Sequence, residues 1–313
     1  MVDGINPKLL DWIGADWGTS NLRVWAFDAG GHVLAKVSSP QGMGRLSPGD
    51  FEPHLLSLVD TWIPKSNNSK IPVLVCGMAG ARQGWHEAGY RDVPCAPATS
   101  EGLAPVITAN RQVTVSIIPG LAQRDPPDVM RGEETQIAGL VSTGIRDAIV
   151  CLPGTHSKWV TLENGAITGF QTFMTGELFS ILGEYSILRH SMQAGSDSTH
   201  CAAYIAAVRE LFEAPENLTS ALFSIRAAGL AGEGSIADAG SERLSGMLIG
   251  AELAATRYRW RGKDVHLAGE EALCARYGRA LGEVGAKFSI HDGEALTLAG
   301  LKLVRAELSR LGP

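Results

Sequence analysis

Apolar positions fall in strand-length runs near the start of this chain and again in its middle, and each set is cut by the same kind of turn. Residues 12–17 (Trp-Ile-Gly-Ala-Asp-Trp) read as a buried strand and residues 22–28 alternate as its hairpin partner. Ala29-Gly30-Gly31-His32 then turns into a third strand over 33–38. The plan returns as strand 148–152, a turn at Pro153–Ser157, strand 158–162, the Asn164-Gly165 pair of a type I′ hairpin, and strand 166–173. Between the two sets, Leu55, Leu58, Val59 and Trp62 have the spacing of a helix over 49–63. Apolar runs at 71–76 and 113–118 read as strands. Asp125-Pro126-Pro127-Asp128 marks 119–132 as irregular loop. A helix starts near Glu133, where acidic residues suit the positive end of the helix dipole. After 173 the pattern is mostly helical to about 261, clearest over 241–257, where Leu244, Met247, Leu248 and Ala251 share a face. Strand 265–268, helix 271–283, strand 286–290 and helix 293–309 close the chain.

A meander followed by helices, used twice, is an α/β plan with a central cleft, and ligands of such folds bind where loops leave the strand ends. With 313 residues the chain is long enough for two lobes. The break falls near 130–145, giving 1–132 and 133–313, with the last helix free to pack back on the first lobe. A net charge of −6 without any basic run disfavours nucleic acid as a partner. No stretch is long and apolar enough to span a bilayer. Lys8-Leu9-Leu10-Asp11-Trp12 interrupts any apolar leader, and five scattered cysteines point to reduced thiols, so a cytoplasmic setting is expected. In that setting the glycosylation patterns at Asn67-Asn68-Ser69 and Asn217-Leu218-Thr219 read as chance. The sequence leaves room for a homodimer.

Four segments carry candidate chemistry. In Asp16-Trp17-Gly18-Thr19-Ser20-Asn21, Gly18 admits φ > 0 and close approach of an oxyanion, and Thr19, Ser20 and Asn21 add donors. Asp16, at the strand end, can hold hydrated Mg²⁺ beside the phosphates of a nucleotide. The competing reading is a plain hairpin whose turn N–H groups Asp16 satisfies. In Pro153-Gly154-Thr155-His156-Ser157-Lys158, Gly154 and Thr155 form a second donor-rich turn, His156 offers a donor and Lys158 a cation; alone, this is an ordinary turn with an exposed lysine. The pair, one per half, points to a chain that grips a polyphosphate, the outline of a kinase. In Met130-Arg131-Gly132-Glu133-Glu134-Thr135-Gln136, a carboxylate can accept a hydroxyl proton and Arg131 can hold an anion. Spacing alone does not choose between Glu133 and Glu134, and an acidic first turn also suits a helix with no catalytic role. In His266-Leu267-Ala268-Gly269-Glu270-Glu271, a small-residue turn at Gly269 can seat the flat face of an adenosine, or merely join strand to helix. Trp12, Trp17, Trp25 and Trp159 read as core. No Walker A loop, dinucleotide fingerprint, nucleophile elbow or metal-ligand spacing is present.

These turns resemble the phosphate 1, phosphate 2 and adenosine elements of the sugar kinase, heat-shock ATPase and actin superfamily. More narrowly, Asp16–Arg23, Ile118–Leu121, Met130–Gln136, Pro153–Val160, Met174–Leu178 and Leu244–Glu252 resemble, in order along nearly the whole chain, the 2-dehydro-3-deoxygalactonokinase family. The resemblance implies a two-lobed, duplicated ribonuclease H-like (actin-like ATPase) fold with an interlobe cleft. It further implies ATP- and Mg²⁺-dependent phosphorylation of the 6-hydroxyl of a 2-keto-3-deoxy sugar acid in galactonate catabolism. Glu134, which precedes Thr135 as the base precedes Thr in related hexokinases, is then the expected base. Cys76–Trp85 resembles the family's sugar-side loop, which brings in Met78 and Arg82; Gly176 and Glu177 join the substrate set. Arg131, Arg82 and Arg45 are candidates for the substrate carboxylate. The departure from the pattern is Gly269-Glu270-Glu271, where smaller hydroxyl residues are expected after the glycine. The rivals are a kinase with another sugar or sugar-acid acceptor, and a non-kinase, nucleotide-switched member of the same fold.

Overall fold

A computed structural model of the chain describes residues 5–65, 70–192, 198–231 and 239–311. The Asn67-Asn68-Ser69 pattern lies outside the described residues. Contacts group the chain into two compact units: residues 1–146 with 164–168 and 294–313, and residues 147–163 with 169–293. Helix 133–142 therefore sits with the first unit.

The first unit is built on a sheet of strands β1 (Trp12–Trp17), β2 (Leu22–Phe27), β3 (Val33–Ser39), β4 (Ile71–Gly77), β6 (Ala104–Val106) and β7 (Val113–Ile117), in the order β3-β2-β1-β4-β7-β6. The meander β1–β3 is antiparallel; β4 runs parallel to β1, and β7 parallel to β4. Strand β1 is central, so Trp12, Ile13, Ala15 and Trp17 are all buried, as its unbroken apolar run requires. Helix α1 (Phe51–Val59) covers one face, where Phe51, Leu55 and Val59 join Trp17, Val24 and Val75. On the other face, Leu301 and Val304 of the last helix pack with Trp12, Trp25, Phe27 and Leu74.

Residues 119–132 correct the sequence reading. They form β8 (Gly120–Arg124) and β9 (Pro127–Met130), an antiparallel hairpin whose bend is Asp125-Pro126. With β5 (Tyr90–Asp92) they make a small third sheet in the order β5-β8-β9. Only Asp125 and Pro126 make the bend, Pro127 already pairs with Arg124, and Gly120, Leu121, Ala122 and Met130 supply buried positions on either side. Helix α2 (Glu133–Ser142) follows directly.

The second unit repeats the plan. Strands β10 (Ala148–Leu152), β11 (Ser157–Glu163), β12 (Ala166–Phe173), β13 (Val265–Gly269) and β14 (Phe288–Asp292) lie in the order β12-β11-β10-β13-β14. Again the central strand pairs antiparallel with the next in sequence and parallel with the one after the helices. Helices α3 (Thr175–Tyr185), α4 (Ser198–Glu213), α5 (Leu218–Ala231) and α6 (Gly240–Trp260) are inserted before β13; α7 (Glu271–Glu283) and α8 (Gly293–Leu311) follow β13 and β14. The order 3-2-1-4-5, with an antiparallel meander and then parallel strands, is the ribonuclease H-like sheet. Its occurrence in both units is the duplicated actin-like fold. All five cysteines are free thiols. No helix among the described residues is long and apolar enough to cross a membrane.

Candidate active site

In the first unit, the site is the end of the sheet where β1 and β4 stop and α2 begins. Gly77 has φ 86° and Gly132 φ 106°, conformations that glycine alone adopts freely. Both positions are also crowded. A Cβ on Gly132 would lie 3.2 Å from Gly77 Cα, and one on Gly77 2.7 Å from the Trp17 carbonyl and 3.4 Å from Asp16 Oδ1. This backbone contact brings the start of α2, with its glutamates, to the end of β1, with Asp16. The thiol of Cys76 lies 3.9 Å from Asp16 Oδ1. Burial pushes that thiol well up, and the charges of Asp16 and Glu134 push it further.

The two glutamates differ. Glu134 is fully buried; its Oε2 accepts the Gly132 N–H at 2.7 Å and its Oε1 the Thr135 hydroxyl at 3.1 Å. Burial, with the adjacent Glu133 charge, pushes its carboxyl up to about 8. Glu133 is partly exposed and accepts the Arg131 N–H at 3.0 Å. Asp16 is raised by burial, an effect opposed by Arg23, whose Nη2 donates to Oδ2 at 2.5 Å.

The Gly18–Asn21 turn is oriented by a loop that the sequence reading did not single out. Gly42 N–H donates to the Ser20 carbonyl at 3.2 Å, Met43 N–H to Gly18 at 2.9 Å and Gly44 N–H to Thr19 at 2.9 Å. In a planar trans peptide the N–H points opposite to the carbonyl. The N–H groups of Thr19, Ser20 and Asn21 therefore point away from the 42–44 loop, on an exposed turn. Successive N–H groups presented this way form an anion-binding concavity. Gly18 does not have the positive φ expected of it; the hairpin closes through its N–H to the Asn21 carbonyl at 2.9 Å.

Arg131 is turned inward. Its Nη2 donates to the Ala88 carbonyl at 2.6 Å, its guanidinium lies 4.4 Å from the centre of the Tyr90 ring, and it is 8% exposed. It fixes the loop after Met78, which starts with a turn of 3-10 helix at Met78–Gly80. Arg82, on that loop, is exposed and 3.5 Å from Glu87. Arg45 is exposed beside the 42–44 loop.

In the second unit the equivalent turn, between β10 and β11, is held in a related way. The Glu177 N–H donates to the Thr155 carbonyl at 2.9 Å, which aims the His156 N–H outward. The ring Nε2 of His156 meets Glu177 Oε2 at 2.5 Å. Lys158 is buried, with its ammonium donating to the His156 carbonyl at 3.2 Å. A Cβ on Gly176 would lie 2.4 Å from the Gly154 carbonyl, so only glycine lets α3 start this close to the turn. Gly176 and Glu177 thus buttress the Gly154-Thr155 turn. Beside it opens a cavity of about 360 Å³, walled by Phe179, Ser245, Leu248, Ile249, Leu273 and Arg276 among others. Apolar walls with a few polar groups suit a flat heterocycle and its sugar. Arg276 is held in the wall by Glu242, at 2.8 and 3.0 Å. Gly269 (φ 151°) lies against the Pro153 carbonyl, and α7, which begins just after it, contributes Leu273, Arg276 and Tyr277 to the cavity. Glu270 caps that helix, accepting the Ala272 and Leu273 N–H groups at 3.1 and 2.9 Å. The departure from the family pattern is thus a helix cap.

The sequence reading missed most of this cavity. Phe179, Leu248 and Ile249 look like core positions of amphipathic helices, and Arg276 like a surface one. Only Ser245, a small polar residue on the apolar face of α6, carried a visible signal.

The chain is similar to known proteins along most of its length. Residues 16–304 match the family described as 2-keto-3-deoxy-galactonokinase. The chain is 40% identical over 299 residues to DgoK1 of Rhizobium meliloti (strain 1021), named a probable 2-dehydro-3-deoxygalactonokinase, covering 93% of this chain and 95% of that one. It is 33% identical over 297 residues to the 2-dehydro-3-deoxygalactonokinase of Escherichia coli (strain K12), covering 94% and 97%. A crystal structure from Sinorhizobium meliloti, named for the same kinase, matches with a TM-score of 0.84 at 37% identity, over 96% of this chain and 99% of that one. A family match across most of the chain, with relatives at this identity aligned nearly end to end, shows that the chain belongs to the 2-keto-3-deoxy-galactonokinase family.

Proposed function

We propose that this chain transfers the γ-phosphoryl group of ATP to the 6-hydroxyl of 2-dehydro-3-deoxy-D-galactonate, a step of galactonate breakdown in the cytoplasm. The observation that carries the reading is the pair of Gly-Thr turns at matching places in the two sheets. In the first, three carbonyls are tied to N–H groups of the 42–44 loop, and in the second the Thr155 carbonyl is tied to the Glu177 N–H, so that the N–H groups of Thr19, Ser20, Asn21 and His156 face outward. Phosphoryl transfer needs little covalent chemistry from the protein; it needs donors that hold the phosphates in line with the acceptor.

In this reading the adenosine occupies the cavity beside Gly154, and Thr155, His156 and Lys158 are donors for its phosphates. In the first unit, Gly18, Thr19, Ser20 and Asn21 are phosphate donors of the same kind. Glu134 accepts the proton of the acceptor hydroxyl, and Glu133 holds the start of α2 through the Arg131 N–H. Met78 and Arg82 belong to the sugar-acid side. Arg131 and Arg82 are the candidates for its carboxylate: Arg131 Nη2 donates to the Ala88 carbonyl, but its buried Nε and Nη1 have no partner among the described residues, and Arg82 is exposed on the loop.

Mg²⁺ in kinases is held by one or two carboxylates and the substrate's own phosphates. No group of three or more His, Cys, Asp or Glu side chains forms a cage among the described residues. Asp16, 15% exposed at a strand end, supplies a single carboxylate of the required kind. Bound there, the ion would neutralise charge on the phosphates.

The test is ADP release in a coupled assay with 2-keto-3-deoxygalactonate, its gluconate epimer and neutral hexoses. ADP release is expected only with the sugar acids, and fastest with the galactonate form. Release without an acceptor, or equal rates with neutral hexoses, overturns the proposal.

A further inference from the structure

The second unit buries a carboxylate that the chemistry above does not use. Glu252, on α6, is 2% exposed. It lies one turn beyond Leu248 and Ile249, on the face of α6 that walls the cavity. Three neutral donors converge on it. The indole N–H of Trp159 donates to Oε1 at 2.7 Å; the Tyr277 hydroxyl donates to Oε2 at 2.8 Å, and the Thr175 hydroxyl donates to the same oxygen. With its proton committed to Glu252, Tyr277 accepts from the Ser157 hydroxyl, 2.8 Å away.

Those four donors come from three elements that shape the nucleotide site. Ser157 and Trp159 are the first residues of β11, just after the Gly154–His156 turn. Thr175 opens α3, whose next residues, Gly176 and Glu177, buttress that turn. Tyr277 belongs to α7, and both it and Thr175 line the cavity. From this convergence we infer that Glu252 is a positioning residue for the nucleotide, setting the phosphate turn and the cavity walls in register. The inference rests on the reading of the cavity as the ATP site.

The chemistry of the donors explains why a carboxylate is used. An indole N–H can only donate, and a carboxylate accepts on both oxygens. Burial raises the Glu252 carboxyl and the four donors lower it, so they favour the ionised form against desolvation. A carboxamide must turn its oxygen to Trp159, which puts its NH₂ against the Thr175 and Tyr277 hydroxyls. Both must then reverse, and the Ser157–Tyr277–Glu252 relay is broken.

The experiment measures ATP affinity by titration calorimetry, and KM for ATP and for the sugar acid separately, in wild type, Glu252→Gln, Thr175→Val and the double variant. Glu252→Gln is expected to weaken ATP binding about 10-fold, the scale of one lost charge-assisted hydrogen bond, with KM for the sugar acid unchanged. Thr175→Val should weaken ATP binding several-fold, and the double variant should lose less than the product of the two, as residues in one network do. An ATP affinity unchanged in a folded Glu252→Gln, or equal rises in both KM values, overturns the inference. Should Glu252→Gln fail to fold, Tyr277→Phe keeps the carboxylate and removes one donor; unaltered ATP affinity in that variant overturns it too. A wild-type protein that binds no ATP refutes the underlying reading instead, so the two failures are distinguishable.

Discussion

Replacing Glu134 by Gln separates the chemistry of the first unit from its stability, because the two respond in opposite directions. The carboxyl is pushed from an ordinary 4.5 to about 8. A tenfold change in an equilibrium is about 1.4 kcal/mol, so ionising Glu134 in the folded chain is about 5 kcal/mol harder than in the unfolded one. The sign follows from the raised value. Below pH 4.5 the group is protonated in both states, and stability is lost as pH climbs towards 8, because the unfolded chain gives up its proton first. Glutamine does not titrate, and it keeps the geometry: its oxygen accepts the Gly132 N–H and its NH₂ faces the Thr135 hydroxyl. The variant should therefore gain on wild type by up to about 4 kcal/mol between pH 5 and pH 8, a rise of roughly 10 °C in Tm. Turnover should fall about 10²- to 10⁴-fold, the usual contribution of a general base. The wild-type kcat/KM should rise with pH through about 8, the limb on which Glu134 loses its proton; in the variant that limb should vanish. Thermal unfolding at three pH values and a coupled rate profile test all of this. A Tm difference that is flat in pH, or turnover near wild type, refutes the reasoning.

Gly176→Ala places a methyl group 2.4 Å from the Gly154 carbonyl and should raise KM for ATP with little effect on KM for the sugar acid; a KM for ATP equal to that of wild type would count against the buttress. Arg82→Ala should raise KM for the sugar acid about 10-fold, the scale of a hydrogen bond to a charged group, and leave KM for ATP alone. Asp16→Asn should raise the Mg²⁺ concentration needed for half-maximal rate; an unshifted metal titration would remove Asp16 from that role. Arg131→Met leaves the Ala88 carbonyl without its donor and removes the stacking on Tyr90, so it should lower Tm by a few degrees.

The elements that were legible in the sequence are those whose apolar period and turn chemistry agree. Strand β1 was bounded correctly because a run buried on both faces ends at Asp16-Trp17-Gly18, and α7 because Glu270 caps it and its apolar period runs unbroken. The hairpin at 120–130 was not legible. Its strands are short, and the Asp-Pro-Pro-Asp string, half of which lies in the second strand, outweighs the few buried residues beside it. The turns at Gly18 and Gly154 stood out by composition, but what orients them did not. The 42–44 loop and the start of α3 act through backbone groups, which any residue carries. Glu252 was in view within its string, at helical spacing from Leu244 and Leu248. A charge on an apolar face is the one mark it left, and its partners lie on three elements distant in sequence.

The last helix has a consequence for biosynthesis. Leu301 and Val304 cover Trp12, Trp25 and Phe27 in the core of the first unit, whereas the second unit ends at residue 293. On the ribosome, the opening strands of the first unit emerge long before the helix that covers them. Until residues 294–311 leave the exit tunnel, a nascent chain carries an uncovered aromatic surface that invites chaperones or self-association. Loss of this one helix should therefore be far more damaging than its length suggests.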